Sequence, residues 1–418
     1  MIDPREVALD VMAAVRERDA YVNLLLPTLV GDLSARDAAL ATELTHQTIR
    51  RQGTYDAIID TVATGDVDPA VRDALRLGAH QLLAMRIPAH AAVDTTVRLV
   101  RRRIGHRPVG FTNAVLRKIA GRDLETWLAD VTHGLARHAA LAVRYSHPEW
   151  VVRELERAVG PTDLEALLAA DNEPPRVTLV ARPGLCEPED LPGAPGRLST
   201  WARILDGGDP GAIPQVRDGR AAVQDEGSQM VALTLAEVPV EGHDTHWLDL
   251  AAGPGGKAAL LGALGARRGA TLVANELQEH RAELVRRSVR ALRNVQVTTH
   301  DGREGPWEED SFDRVLLDAP CTGLGALRRR PEARWRRRPQ DVAELVALQR
   351  ELLGRALELV RPGGVVGYAT CSPLPAETRD LVDAVLADRT DVAVESEHRW
   401  WPHTDGTDAM YLAVLRRR

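Results

Sequence analysis

The chain has 418 residues, 44% of them hydrophobic and 27% charged, with a formal net charge of −7. That length exceeds one hydrophobic core and predicts two or three domains. No apolar run approaches the roughly 20 residues of a membrane span, and three cysteines without C-x-x-C spacing exclude a disulfide framework and a zinc knuckle. The opening MIDPREVALDVMAAV is acidic and has no apolar stretch of the signal-peptide kind. A reducing, cytoplasmic setting, no membrane and no bound metal are expected.

Residues 1–140 read as helices. Val7, Val11 and Val15 recur on one face. Ser34 with Asp37 forms a capping-box-like start for the helix carrying Leu40 and Leu44. RLGAHQLLAMRIPAHAAVDTTVRLVRRR reads as two amphipathic helices joined at Pro88, and alternating strand patterns are almost absent. An all-α domain follows.

Residues 141–238 change character. Prolines crowd the segment, among them Pro148, Pro161, Pro174, Pro175 and Pro183. PPRVTLVARPG reads as a strand, and GRAAVQDEGSQMVALTLAEV as a strand followed by a helix. A small α+β linker domain is predicted.

From 239 to 418 the pattern alternates. WLDLA, TLVANE, VQVTTHD, FDRVLLD and GGVVGYATC read as strands, with helices after most of them, and DVAVE and MYLAVL close the chain. A βαβ series of this kind predicts a Rossmann-like α/β domain with a mostly parallel sheet and helices on both faces.

The first strand-to-helix turn, LDLAAGPGGKAALL, holds Ala251, Ala252, Gly253, Pro254, Gly255, Gly256 and Lys257. Glycines there let the backbone approach a ligand, and the following helix offers its amino-terminal amides to a carboxylate or phosphate. A phosphate-binding G-x-x-x-x-G-K-[ST] loop fails because Ala251 and Ala258 occupy its outer positions, and G-x-G-x-x-G fails too. Glu276 ends the second strand, where this fold places a carboxylate for ribose hydroxyls. Asp301 and Asp318 end the third and fourth. A glycine turn followed by three strand-end acids predicts a pocket for S-adenosyl-L-methionine. The turn takes the methionine part, Glu276 the ribose and Asp301 the adenine edge, with Asp318 alongside. Each acid taken singly is as readily a helix cap.

Cys321, in DAPCTGLG, and Cys371, in YATCSPLP, lie just past the ends of two strands, where open α/β folds place their chemistry. Cys186 reads as core packing. Between Arg328 and Arg338 the sequence RRRPEARWRRR carries seven Arg and one Glu. Arg328, Arg329, Arg330 and Arg334, with Trp335 among them, suit phosphate clamping and base stacking, while a charge run by itself is usually a solvated face.

LDLAAGPGGK, DAPCTGLGALRRRPEARW, YATCSPLPAE, VQDEGSQMVA, RYSHPEW and GFTNAVLRKI together resemble the RNA cytosine-5 methyltransferases of the NOL1/NOP2/Sun type, and among them the RsmB/Fmu type with a NusB-like helical domain. Ala251 stands where that family commonly has Cys, and Gly253 where it has Ala. The resemblance implies three domains: a NusB-like RNA-binding domain over 1–140, a linker over 141–238 and a class I methyltransferase over 239–418. It implies methylation of carbon 5 of cytosine, in small-subunit ribosomal RNA, by a chain expected to be a monomer. It further implies that Cys371 attacks carbon 6 and Cys321 assists release, although in DNA enzymes the Pro-Cys cysteine attacks. Asp318 would bond the cytosine edge. A transfer RNA substrate, or a non-catalytic assembly factor on the same fold, are the alternatives.

Overall fold

The structure, a computed structural model, describes residues 3–418. It divides into two compact units. The first runs to Glu173 and takes in Leu327–Arg336; the second comprises Pro174–Ala326 and Arg337–Arg418.

The first unit holds ten helices between Pro4 and Ala170 and a short one at Ala333–Arg336. The four-residue repeat of Val7 and Val11 faces a core with Leu44, Leu77 and Leu99. A second cluster gathers Tyr55, Ile58, Leu75, Leu116 and Trp127. Ser34 caps the helix Ala35–Arg50 by accepting from the Asp37 amide, and Pro88 directly precedes the helix Ala89–Arg103. The helical region extends beyond 140 through Arg137–Tyr145 and Glu149–Ala170. The prolines that mark a change of character there do not end it. Pro148 is the N-cap of the last long helix, and Pro161 follows a kink at Gly160, whose φ is 80°. Proline at a helix start needs no amide partner, so it opens a helix as readily as it closes one.

The second unit begins with a four-stranded antiparallel sheet of β1 (Thr178–Ala181), β2 (Ala194–Pro195), β3 (Ala202–Ile204) and β4 (Ala221–Val223), ordered β2-β3-β1-β4. The helix Glu226–Glu237 leads into a seven-stranded sheet. Its strands are β5 (His246–Asp249), β6 (Thr271–Asn275), β7 (Val295–Thr298), β8 (Phe312–Asp318), β9 (Val360–Thr370), β10 (Val392–Trp400) and β11 (Met410–Arg417). The order is β10-β11-β9-β8-β5-β6-β7, parallel from β7 to β9 and antiparallel on both sides of β11.

The middle strands read as continuous apolar runs because both sheet faces are covered. On one face Leu316, Val365 and Leu412 pack with the helices Glu226–Glu237, Gly256–Ala266 and Glu279–Val289 through Leu235, Leu260 and Val285. On the other, Leu317, Val366 and Tyr368 meet Leu353, Leu357 and Leu381 of the helices Pro339–Leu359 and Arg379–Leu386. The order reverses between β5 and β8, which open a crevice at their carboxyl ends. Among the described residues, no helix is long and apolar enough to cross a membrane.

Candidate active site

Every acid and thiol singled out in the second unit lies at the carboxyl end of a strand. β8 and β9 are parallel neighbours with Asp318 opposite Ala369. The segments that continue them therefore run side by side, and Cys321 Sγ lies 3.5 Å from Cys371 Sγ. Both thiols are half-buried, whereas Cys186 is buried in the core of the small sheet.

Lys257, in the first turn of the helix Gly256–Ala266, donates to Asp318 Oδ2 at 2.7 Å. Burial works against its charge, but Asp318, Cys371 and Asp249 outweigh that cost and hold its pKa above the usual lysine value. By the same interactions the ammonium opposes the rise of the Asp249 pKa and lies where it favours a thiolate at Cys371. Cys321 is pushed the other way. Its hydrogen bond with Cys371, then burial, then the charges of Cys371, Glu377 and Asp318 drive its thiol pKa well up. Of the pair, Cys321 keeps its proton.

The cofactor turn is shaped by close approach. A Cβ at Gly253 would collide with the Glu276 carboxylate, and Gly255 has φ 107° with Ser288 Cβ 2.7 Å from where its own Cβ would stand. Glu276 is buried, accepts from the Gln278 amide at 3.1 Å and lies 3.6 Å from Arg281. Asp301 accepts from the amide and guanidinium of Arg303, the latter at 2.7 Å, and these hydrogen bonds hold its pKa below the usual carboxylate range. A ligand contacting Asp301 therefore competes with Arg303.

Asp249, at the end of β5, was not among the sequence candidates although it stands in LDLAAG. It is fully buried and neither oxygen has a hydrogen-bond partner of good geometry. Burial, then the charge of Asp318, push its pKa up to about 8, against the opposing pull of Lys257 and the Ala251 amide. An orphaned buried carboxylate beside a glycine turn fits a ligand that carries positive charge, as the sulfonium and ammonium of S-adenosylmethionine do. Because the folded-state pKa is raised, this group's stabilising contribution is full below 3.8 and is lost as pH rises toward 8. Without cofactor, Asp249→Asn is expected to melt higher than wild type, with the gain roughly 5 °C larger at pH 8 than at pH 5, and to bind S-adenosylmethionine more weakly by calorimetry. An equal gain at both pH values would count against the raised pKa.

Sequence reasoning also passed over a buried cluster behind the thiols. Glu377, fully buried, accepts from the Thr322 amide at 2.8 Å, from Gln349 Nε2 at 3.0 Å, and from the hydroxyls of Thr322 and Ser372. Tyr368 donates to the Glu377 carbonyl at 2.8 Å. Tyr368, Ser372 and Glu377 stand in YATCSPLPAE and Thr322 in DAPCTGLG, whereas Gln349 lies outside these motifs.

The part of the basic stripe from Arg328 to Arg336 belongs to the first unit and is largely not a surface there. Arg334 is fully buried and donates to the carbonyls of Ser146 (2.9 Å), Arg50 (3.3 Å) and Asp171 (3.3 Å) and to Asn172 Oδ1 (2.9 Å). Arg50 is the last residue of its helix, and Ser146 and Asp171 cap theirs. One cation thus serves the negative ends of three helices. Burial lowers its pKa to about 9. Arg328 is buried and its carbonyl accepts from Arg50 at 2.6 Å. The Trp335 ring fills the space where a Cβ on Gly53 would stand. Arg329 is half-buried, and only Arg330 of the five is exposed, its guanidinium 5.8 Å from the centre of the Tyr21 ring. The expectation of a phosphate clamp is therefore corrected for Arg334, whose donors are occupied by helix ends.

Residues 235–416 match the family described as 16S rRNA methyltransferase RsmB/F, and residues 2–121 match the NusB family. A protein of Mycobacterium tuberculosis (strain ATCC 25618 / H37Rv), whose name calls it a methyltransferase, is 48% identical over 100% of this chain and 97% of its own length. The ribosomal RNA small subunit methyltransferase B of Salmonella typhi is 33% identical over 93% of this chain and 91% of its own. The crystal structure of PH0851 shares the fold at a TM-score of 0.79 and 21% identity, covering 100% of this chain and 99% of that one. With its strand order, its cofactor crevice and these relatives, the chain belongs to the RsmB/F family of S-adenosylmethionine-dependent ribosomal RNA methyltransferases and carries the family's NusB-type helical domain.

Proposed function

We propose that the protein methylates carbon 5 of a cytosine in small-subunit ribosomal RNA through a covalent adduct with Cys371. The observation that carries this reading is the contact of two half-buried thiols beside the Lys257–Asp318 ion pair. Carbon 5 of cytosine is too poor a nucleophile to take a methyl group unaided. Adding a thiolate at carbon 6 turns it into an enamine-like nucleophile, which divides one hard step into easier ones.

S-adenosylmethionine, when bound, supplies an electrophilic methyl group on a sulfonium. The turn from Ala251 to Lys257, with Glu276, Asp301 and Asp318, would hold it, and Asp249 joins that set. The target base leaves its stack to reach the crevice. Asp318, three residues before Cys321, faces the pyrimidine edge. A proton shared between its carboxyl group and nitrogen 3 takes up the charge that develops there as the thiolate adds at carbon 6. Cys371 forms its bond to carbon 6 as the thiolate, favoured by the Lys257 ammonium. After methyl transfer Cys371 is a neutral thioether, and its charge no longer opposes ionisation of Cys321. Cys321, as thiolate, takes the carbon 5 proton. The pair of that C–H bond restores the carbon 5–carbon 6 double bond, and the Cys371–carbon 6 bond breaks with its pair returning to sulfur. Arg330 and the neighbouring Arg329 are left as phosphate contacts on the first unit.

Bisulfite sequencing of ribosomal and transfer RNA from cells lacking the gene tests the substrate. Loss of one methylcytosine in small-subunit ribosomal RNA is expected. Loss confined to transfer RNA would move the assignment, and no loss anywhere would refute cytosine-5 chemistry.

A further inference from the structure

Two loops carry the thiols, and both are otherwise irregular backbone. Pro320–Thr322 follows β8, and Cys371–Leu374 follows β9. Their separation is set by more than the sheet, because a single buried carboxylate lies behind both. Oε1 of Glu377 takes the Thr322 amide, directly after Cys321, and Gln349 Nε2; Oε2 takes the hydroxyls of Thr322 and of Ser372, directly after Cys371. All four partners are N–H or O–H donors, so the acceptor capacity of an ionised carboxylate is filled without a proton on Glu377.

The same cluster extends outward. Gln349 Nε2 also donates to the Pro320 carbonyl at 2.7 Å, and Ser372 Oγ accepts from the Leu374 amide at 3.2 Å. Arg337 donates to the Thr322 carbonyl at 2.9 Å. The Gly325 amide donates to the Cys371 carbonyl at 2.9 Å.

Taking the two-thiol reading above as its basis, we propose that Glu377 is a positioning residue that ties the Cys321 loop to the Cys371 loop and thereby fixes the thiols at reacting distance. A hydrophobic residue of equal size would pack there but would leave the Thr322 amide without an acceptor and the Thr322 and Ser372 hydroxyls, 3.1 Å apart, with only each other. The two loops would then be held by that contact and the Gly325–Cys371 bond without the shared carboxylate. A carboxylate at this place has a second consequence. Its charge is one of the influences that keep the proton on Cys321, after the contact with Cys371 and burial. Glu377 thus acts on spacing and on protonation while touching neither RNA nor methyl donor.

Glu377→Gln separates these effects from folding. The amide oxygen can take the N–H pair while the amide NH2 faces the hydroxyls, which can turn to accept, so the shape is kept and the charge is lost. Single-turnover methyl transfer is expected to fall roughly 10- to 100-fold with KM for RNA and cofactor affinity unchanged. In a Cys371→Ser, Cys186→Ser background, where Cys321 is the one remaining thiol, Glu377→Gln is expected to move the pH midpoint of Cys321 alkylation down by about half a unit or more. A wild-type transfer rate, or a loss of rate that follows melting temperature with no shift in the alkylation midpoint, would overturn the inference. Should Glu377→Gln fail to fold, Thr322→Val and Ser372→Ala each remove one hydroxyl donor and are expected to lower the transfer rate in the same way; normal rates in both would overturn it. Covalent-adduct trapping by Cys321→Ala tests the underlying reading separately: an adduct there with a fully active Glu377→Gln sinks this inference alone.

Discussion

Cys371→Ala is expected to abolish methyl transfer, by at least about 10,000-fold in single-turnover rate, while leaving S-adenosylmethionine affinity and melting temperature near wild type. Cys321→Ala is expected to behave differently. The adduct should form and fail to resolve, giving a protein–RNA complex that survives denaturing electrophoresis. The physical ground for this asymmetry is electrostatic. Lys257 lies where it favours an anion on Cys371, and the contacts of Cys321 drive its proton affinity up. One thiol of the touching pair is thus prepared as nucleophile and the other as a proton-holding partner. If Cys321→Ala were inactive without an adduct and Cys371→Ala accumulated one, the roles would be exchanged.

Arg334→Ala is expected to destabilise the helical unit by several kcal/mol, on the order of 3–5, lowering its melting temperature by roughly 10 °C. The substitution removes the donor shared by the carbonyls of Arg50, Ser146 and Asp171 and leaves those helix ends buried without a partner. At temperatures where the variant is folded, the salt dependence of RNA binding should match wild type, because this guanidinium does not reach phosphate. Arg330→Ala is the contrasting case: exposed beside Tyr21, it should leave melting unchanged and reduce the salt slope by about one counterion. A folded, thermally normal Arg334→Ala with a reduced salt slope would restore the phosphate-clamp interpretation.

These two arginines stand four residues apart in one basic run and do opposite things. Nothing in RRRPEARWRRR distinguishes them, because charge along a sequence says how many guanidiniums are present and not where carbonyl acceptors converge. The boundary near 140 has the same origin. Pro148 and Pro161 look like breaks, yet one begins a helix and the other follows a kink within it.

The strand ends were legible for a different reason. TLVAN before Glu276 and the run ending VLL before Asp318 are local patterns that a parallel sheet with covered faces enforces, while VQVTTH before Asp301 belongs to the edge strand β7. Asp249 escaped notice because an acid inside LDLAAG looks like any strand-end cap; what sets it apart is full burial with neither oxygen in a hydrogen bond of good geometry.

By itself the sequence determined the α/β alternation of the second unit, the glycine turn, the strand-end acids and the two thiols, since each is written in a stretch of about ten residues. Only the tertiary structure decided that the thiols touch, that Lys257 pairs with Asp318, that Glu377 lies behind both cysteine loops and that Arg334 closes three helix ends. The contacts that carry those facts join groups 50 to 188 residues apart. Their distances are set by strand order and helix packing, which local residue patterns constrain only collectively.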